Sequence, residues 1–233
     1  MKLAALSIFL FLVVPSGNSQ ASVEGLTPTR IPLDSDWKAQ EYNYALKNVV
    51  HPSWGIAHSE RDYQVAKQLA EDEHISMDLD VLFAAAFLHD LGGIGSFAKP
   101  GVDHAVRSAE LAEPLLRDWG FPMSKWPQVK DMILGHTYYG PLPVSQPALA
   151  FRDADILDFL GDIGIARIFA ITEESGRSSP TLASPVTLLK EFRKDFPGKL
   201  SLKSSLRYAQ PRLDELDAFL KVLNAETFGE CAL

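Results

Sequence analysis

Eight consecutive apolar residues, Val81 to Leu88, run directly into His89-Asp90-Leu91-Gly92-Gly93. The run is rich in Ala, Leu and Phe rather than β-branched residues, so it reads as a helix and not a buried strand. The spacing predicts that helix over Asp78 to His89, ended by the glycine pair just past its C-terminus. A helix that is apolar on every side has to be covered on every side. The rest of the chain must therefore wrap around it.

The remaining sequence supplies such a wrapping. Apolar residues recur at helical spacing over Asp36–Val50, Ser59–Glu73, Asp103–Gly120, Ser124–Gly135, Val186–Phe196 and Ser201–Leu223. A longer stretch, Gln146 to Ile171, reads as one helix bent near Gly161 and Gly164. A Ser/Pro-rich loop, Ser175 to Pro185, follows it. There is no period-two alternation and no internal repeat. The expectation is an all-α globule of about seven or eight helices. With 233 residues, of which 46% are hydrophobic and 22% charged, the chain is long enough to bury one core without covalent staples.

Composition also removes several functions. The formal charge of −8 argues against a broad basic face for a nucleic-acid polymer. The single cysteine, Cys231, excludes an intrachain disulfide framework and a cysteine-based zinc site. At the N-terminus, Lys2 precedes an almost wholly apolar run from Leu3 to Val14, broken by Pro15 and Ser16. This pattern predicts a signal peptide over residues 1–21, cleaved after Ala21, and export to a periplasmic or extracellular space. The run is shorter than the ~20 residues needed to span a bilayer, so no membrane span is expected after processing. Residues 22–233 then form one domain, with its core at about 52–223.

Several polar residues fall where a packed core should not have them. His58 opens one helix, His89 and Asp90 close another, and His136 ends a third. Asp153 and Asp155 lie within the apolar stretch Leu149 to Leu157. A buried carboxylate or imidazole is costly unless it is paired or bound to a metal. Adjacent helical residues point ~100° apart, so His89 and Asp90 can share one ion only where the helix ends, as Gly92-Gly93 arranges. Imidazole nitrogens together with carboxylate oxygens suit divalent transition metals.

The ordered set His58, His89-Asp90 and Asp155 resembles the HD-domain superfamily of metal-dependent phosphohydrolases, and within it small bacterial hydrolases acting on nucleotides. Three stretches carry the likeness: PSWGIAHSERDYQVAKQLA, LFAAAFLHDLGGIG and FRDADILDFLGDIGIARIF. It implies His58, His89, Asp90 and Asp155 as metal ligands, with Asp90 also orienting the attacking water. Asp153 is implied as a supporting catalytic residue and Asp158 as a cap or a partner of a ligand. His104, in DHAVRSAELA, and His136, in MILGHTYYG, match further histidine segments of the family. They are implied as site-lining groups for proton transfer or for a second ion. Arg61, Arg167, Lys203, Arg207 and Arg212 are the candidate phosphate-binding cations; Arg61 lies one turn beyond His58 on the same helix face.

The resemblance has one departure. Trp54 and Gly55 stand where close relatives carry a His-Asp pair before the first ligand. What the resemblance implies overall is hydrolysis of a small phosphorylated metabolite by a water activated on one or two ions of Mn, Fe, Co, Ni or Zn. Two other readings keep the same residues: a di-iron oxygenase or zinc-dependent hydratase, and a non-catalytic exported metal-binding protein.

Overall fold

The computed structural model describes residues 25–174 and 182–233. The expected leader and most of the Ser/Pro-rich loop lie outside the described residues. Nine α-helices are present among the described residues: α1 (Asp36–Asn48), α2 (Ile56–Asp72), α3 (Leu79–Leu88), α4 (His104–Trp119), α5 (Trp126–Gly135), α6 (Gln146–Leu157), α7 (Gly161–Glu174), α8 (Ala183–Asp195) and α9 (Lys203–Glu226). The only extended pairing among the described residues is an isolated bridge between Leu26 and Pro32. None of the described helices is long and apolar enough to cross a membrane.

The apolar run forms the centre. Every residue from Val81 to Leu88 is buried in α3, which packs against α1, α2, α4 and α5. The Asp78 carboxylate starts this helix by accepting the backbone N–H groups of Asp80 and Val81, two of the donors that a helix N-terminus leaves unsatisfied. Trp37 and Tyr42 of α1 meet Phe83 and Phe87 edge-on, at ring-centroid distances of 5.6 and 5.4 Å. Truncating Leu82 or Leu88, both fully buried, to alanine is expected to cost about 2–5 kcal/mol.

The long helix expected from Gln146 to Ile171 is in fact two. The chain leaves helical geometry after Leu157 and resumes at Gly161. Asp158 is the C-cap of α6, its N–H still bonded to the Ala154 carbonyl, while its side chain turns inward to an imidazole and two guanidinium groups. The break lets α6 deliver both Asp155 and Asp158 to the face of α2, against which it packs.

Gly92 fixes the other wall of the site. A Cβ there would lie 2.4 Å from the Ser108 nitrogen and 2.6 Å from the His104 carbonyl oxygen. Only glycine lets α4 approach the 3₁₀ turn Leu91–Gly93 this closely. The Gly92 N–H donates to Ser108 Oγ at 2.8 Å, which sets His104 beside Asp90.

Candidate metal centre

α2, the end of α3, the start of α4, the end of α5 and α6 bring His58, His89, Asp90, His104, His136 and Asp155 to one place. Each imidazole is oriented through its Nδ1. His58 Nδ1 lies 2.8 Å from Asp158 Oδ2. His89 Nδ1 lies 3.0 Å from the Ala86 carbonyl oxygen, and His136 Nδ1 lies 2.6 Å from that of Ile133. His104 Nδ1 is 3.0 Å from the Tyr139 hydroxyl oxygen. That hydroxyl donates its only proton to Asp103 Oδ2, at 2.8 Å. In all four cases the partner is an acceptor, so the Nδ1 carries the hydrogen and Nε2 is left as a lone pair.

The four lone pairs converge. His58 and His89 face each other Nε2 to Nε2 at 3.3 Å, and His104 and His136 do so at 3.0 Å. Two bare imidazole nitrogens at such distances repel unless a positive charge lies between them. Asp90 faces both pairs. Its Oδ2 is 3.5 Å from His58 Nε2 and 3.3 Å from His89 Nε2. Its Oδ1 is 3.3 Å from His104 Nε2 and 3.5 Å from His136 Nε2. Asp155 Oδ1 approaches His58 Nε2 at 3.5 Å. This donor set, and its unmet need for positive charge, fits divalent ions bound by imidazole and carboxylate.

The electrostatics agree. Burial raises the Asp90 carboxyl, but His89, followed by His104, His136 and His58, outweighs it and holds the group well below its ordinary range. Burial lowers the His89 imidazole, and Asp90 with Asp155 more than offsets it, so that its affinity for a positive charge is raised. His104 is raised in the same way, chiefly by Asp90 against burial. His58, His89 and His136 are buried, whereas the His104 side chain is 29% exposed and Tyr139 is exposed beside it. The site therefore opens on the His104 side.

Asp62, which no motif singles out, lies at the centre. It lies one turn after His58 on α2, with Oδ2 3.1 Å from His58 Nε2 and 3.8 Å from His89 Nε2. The available signal was its i,i+4 spacing from a ligand histidine. Asp158 forms the layer behind His58. It accepts Arg61 Nε and Nη2 at 2.7 and 2.8 Å and pairs with Arg167 Nη1 at 2.7 Å. Burial pushes this carboxyl up, but His58, Arg61 and Arg167 pull it far below its usual range.

Other expected site residues have different tasks. The Asp153 carboxylate accepts the Ser201 and Leu202 N–H groups at 2.8–3.1 Å and holds the start of α9. Arg167 is buried, clamped between Asp158 and the Ser53 carbonyl. Its guanidinium lies 4.3 Å from the Phe159 ring centroid and 5.3 Å from that of Trp54, so it is enclosed in the core rather than presented at the opening of the site. Arg61 is likewise committed to Asp158. Arg212 donates to the Leu157 carbonyl, Arg207 pairs with Asp72, and Lys203 is exposed on the first turn of α9.

The Trp54-Gly55 departure has a packing reason. His51 Nδ1 accepts the N–H groups of Ser53 and Trp54, and a Cβ on Gly55 would lie 2.3 Å from the His51 carbonyl oxygen. Trp54 packs on Phe159 and stacks on His51. This turn delivers the N-terminus of α2, and hence His58, to the site.

Inward-facing histidines and aspartates held on an all-helical scaffold define a metal-binding helical protein of the histidine–aspartate type. Residues 55–160 match the HD domain, and solved proteins of similar fold are described as HD-superfamily hydrolases. The fold of this chain is similar to that of a predicted HD superfamily hydrolase from an uncultured Thermotogales bacterium, at 27% identity and a TM-score of 0.56 over 81% of this chain and 90% of that one. A protein from Lactobacillus plantarum aligns at 21% identity and a TM-score of 0.64, over 82% and 96% of the two chains. Bacillus subtilis YpgQ, solved in complex with ADP, aligns at 18% identity and a TM-score of 0.61, over 81% and 97%. No curated protein matches the sequence.

Proposed function

We propose that this protein is a metal-dependent phosphohydrolase acting on a nucleotide or a similar small phosphorylated metabolite. The observation that carries the proposal is the two-sided Asp90 carboxylate, with one oxygen toward His58 and His89 and the other toward His104 and His136. On this reading His58, His89, Asp155 and Asp90 Oδ2 would hold one ion, and His104, His136 and Asp90 Oδ1 a second. When bound, such ions lower the pKa of a coordinated water and neutralise phosphoryl oxygens. The chain's own residues orient and shield. Asp158, Ala86, Ile133 and Tyr139 fix the ring orientations, and the open His104–Tyr139 side admits the substrate. The ADP bound to YpgQ supports a nucleotide-sized ligand.

The test is hydrolysis of a panel of nucleoside phosphates and aryl phosphates by protein stripped of metal and then loaded separately with Mn, Fe, Co, Ni or Zn. Turnover that requires metal and disappears in His89→Ala is expected. No turnover under any loading would overturn the proposal. The six His/Asp donors in two groups equally suit a di-iron oxygenase. Two irons per chain, with oxygen consumed and no phosphate released, would select that reading. We further propose export, on the leader sequence alone; an N-terminus at Ser22 in the processed protein, read by mass spectrometry, tests it.

A further inference from the structure

Asp62 is the one buried acid at this centre that neither the family motif nor the proposed ligand set uses. It is fully buried, and neither carboxylate oxygen has a hydrogen-bond partner among the described residues. A buried carboxylate left in that condition is expensive, and three more aspartates, Asp90, Asp155 and Asp158, add like charge around it. Its surroundings nonetheless suit it as a ligand. One donor atom each from His58, Asp62, His89 and Asp155 lie within 4.8 Å of one another, and the Nε2 atoms of both histidines are lone pairs, as argued above.

We propose that Asp62 is an additional ligand of the inner ion, together with His58, His89, Asp155 and Asp90 Oδ2. The inference rests on the metal-centre reading above and extends it. It makes the two halves unequal. The inner position has five protein donors, three of them carboxylates, and all but Asp90 are buried. The outer position has His104, His136 and one oxygen of Asp90, and lies at the opening. The inner ion is then the tightly held one, and open coordination positions for water and a phosphoryl oxygen are concentrated on the outer one.

The test is a titration of Mn²⁺ into metal-stripped protein, followed by loss of the free-ion paramagnetic resonance signal, for wild type, Asp62→Asn and Asp62→Val. Thermal melting with and without EDTA accompanies it. Wild type should show a tight and a weaker class of Mn²⁺. Asp62→Asn should weaken the tight class by about 10–100-fold or more, taking the loss of a supporting partner as the lower bound, and leave the weaker class within about twofold. In EDTA both variants should melt at or above the wild-type temperature, because a buried acid without a hydrogen-bond partner is gone; with saturating Mn²⁺ they should melt below it. Unchanged tight binding in either variant overturns the role of Asp62. So does a lower melting temperature in EDTA with the affinity retained, which marks a structural acid. A wild-type protein that binds no Mn²⁺, Zn²⁺ or Fe²⁺ overturns the metal-centre reading itself, a different result from either of these.

Discussion

Glu41 on α1 and Asp62 on α2 are both fully buried, and neither has a hydrogen-bond partner among the described residues. Their neighbourhoods differ. Burial pushes the Glu41 carboxyl well up, opposed only by Lys38, and α1 packs against the apolar α3. Burial also pushes Asp62 up, reinforced by Asp158 and Asp155, yet two imidazole nitrogens stand within 4 Å of it. The same defect therefore has two remedies. An isolated carboxyl in an apolar layer can only be relieved by a proton, whereas one beside converging lone pairs can be relieved by a cation. A buried unpaired acid is evidence for a metal site only when other donors point at the same space.

The first way to break this comparison is to remove the converging donors. His89→Ala and Asp90→Ala should each reduce metal-dependent hydrolysis to the assay background, since Asp90 serves both halves and His89 lies between them. Full retention by either variant would sink the site assignment. Glu41→Ala, by contrast, should leave the activity per folded molecule unchanged.

The next largest effect is that of metal on stability. A ligand that binds only the native state at about 100 times its Kd adds ~2.7 kcal/mol. For a domain of this size that is a rise of roughly 5–10 °C in melting temperature. Scans with EDTA and with added Mn²⁺ or Zn²⁺ measure it, and equal melting temperatures would remove the support for a structural share of the metal.

Asp158 sharpens the comparison from behind the ligands. It is a nearly buried acid whose partners are all supplied by the chain. Asp158→Asn should lower metal affinity about 10–100-fold by loosening the His58 tautomer and ring. The pH dependence has a definite sign. The native carboxyl is held below its unfolded value of ~3.9, so its contribution is complete above that pH and is lost as pH falls through the depressed native value. Acid unfolding of Asp158→Asn should therefore be shallower below about pH 4 than that of wild type. Parallel curves would show that Arg61 and Arg167 are satisfied elsewhere.

How much of this was legible in the sequence follows from the range of the interactions. α3 and its burial were readable because eight contiguous apolar residues admit little else. His58, His89, Asp90 and Asp155 were readable because motif spacing places them at helix ends and inside an apolar stretch. Asp62 was not, because in SERDYQVAK it looks like any polar residue of an amphipathic helix, and only the approach of α3 and α6 buries it. Asp153 is the opposite case: a motif aspartate in an apolar helix reads as catalytic, and the sequence gives no sign of its donors, the Ser201 and Leu202 N–H groups, which lie far along the chain. Arg167 looked like a phosphate ligand until Asp158, Ser53, Trp54 and Phe159 enclosed it. The break in the predicted long helix is likewise tertiary, since the inward pull on Asp158 comes from α2 and α7.

The smallest expected effect returns to Glu41, and it separates the two remedies most cleanly. With its native carboxyl raised and its unfolded value near ~4.3, the unfolded chain releases a proton that the native state retains. Stability should therefore decline as pH rises from about 4.3 toward the native value. Glu41→Met removes the titrating group and fills the site with an apolar side chain of similar length. Removing a buried unsatisfied group is worth about 1–3 kcal/mol, so the variant should melt a few degrees above wild type at pH 7–8, with the gain shrinking toward pH 4. The gain should be the same in EDTA and in Mn²⁺, whereas the effect of Asp62→Asn reverses sign between those two conditions. A Glu41→Met protein that melts lower at every pH would mean that this carboxyl holds a partner of its own, and the contrast between the two acids would fail at the α1 end.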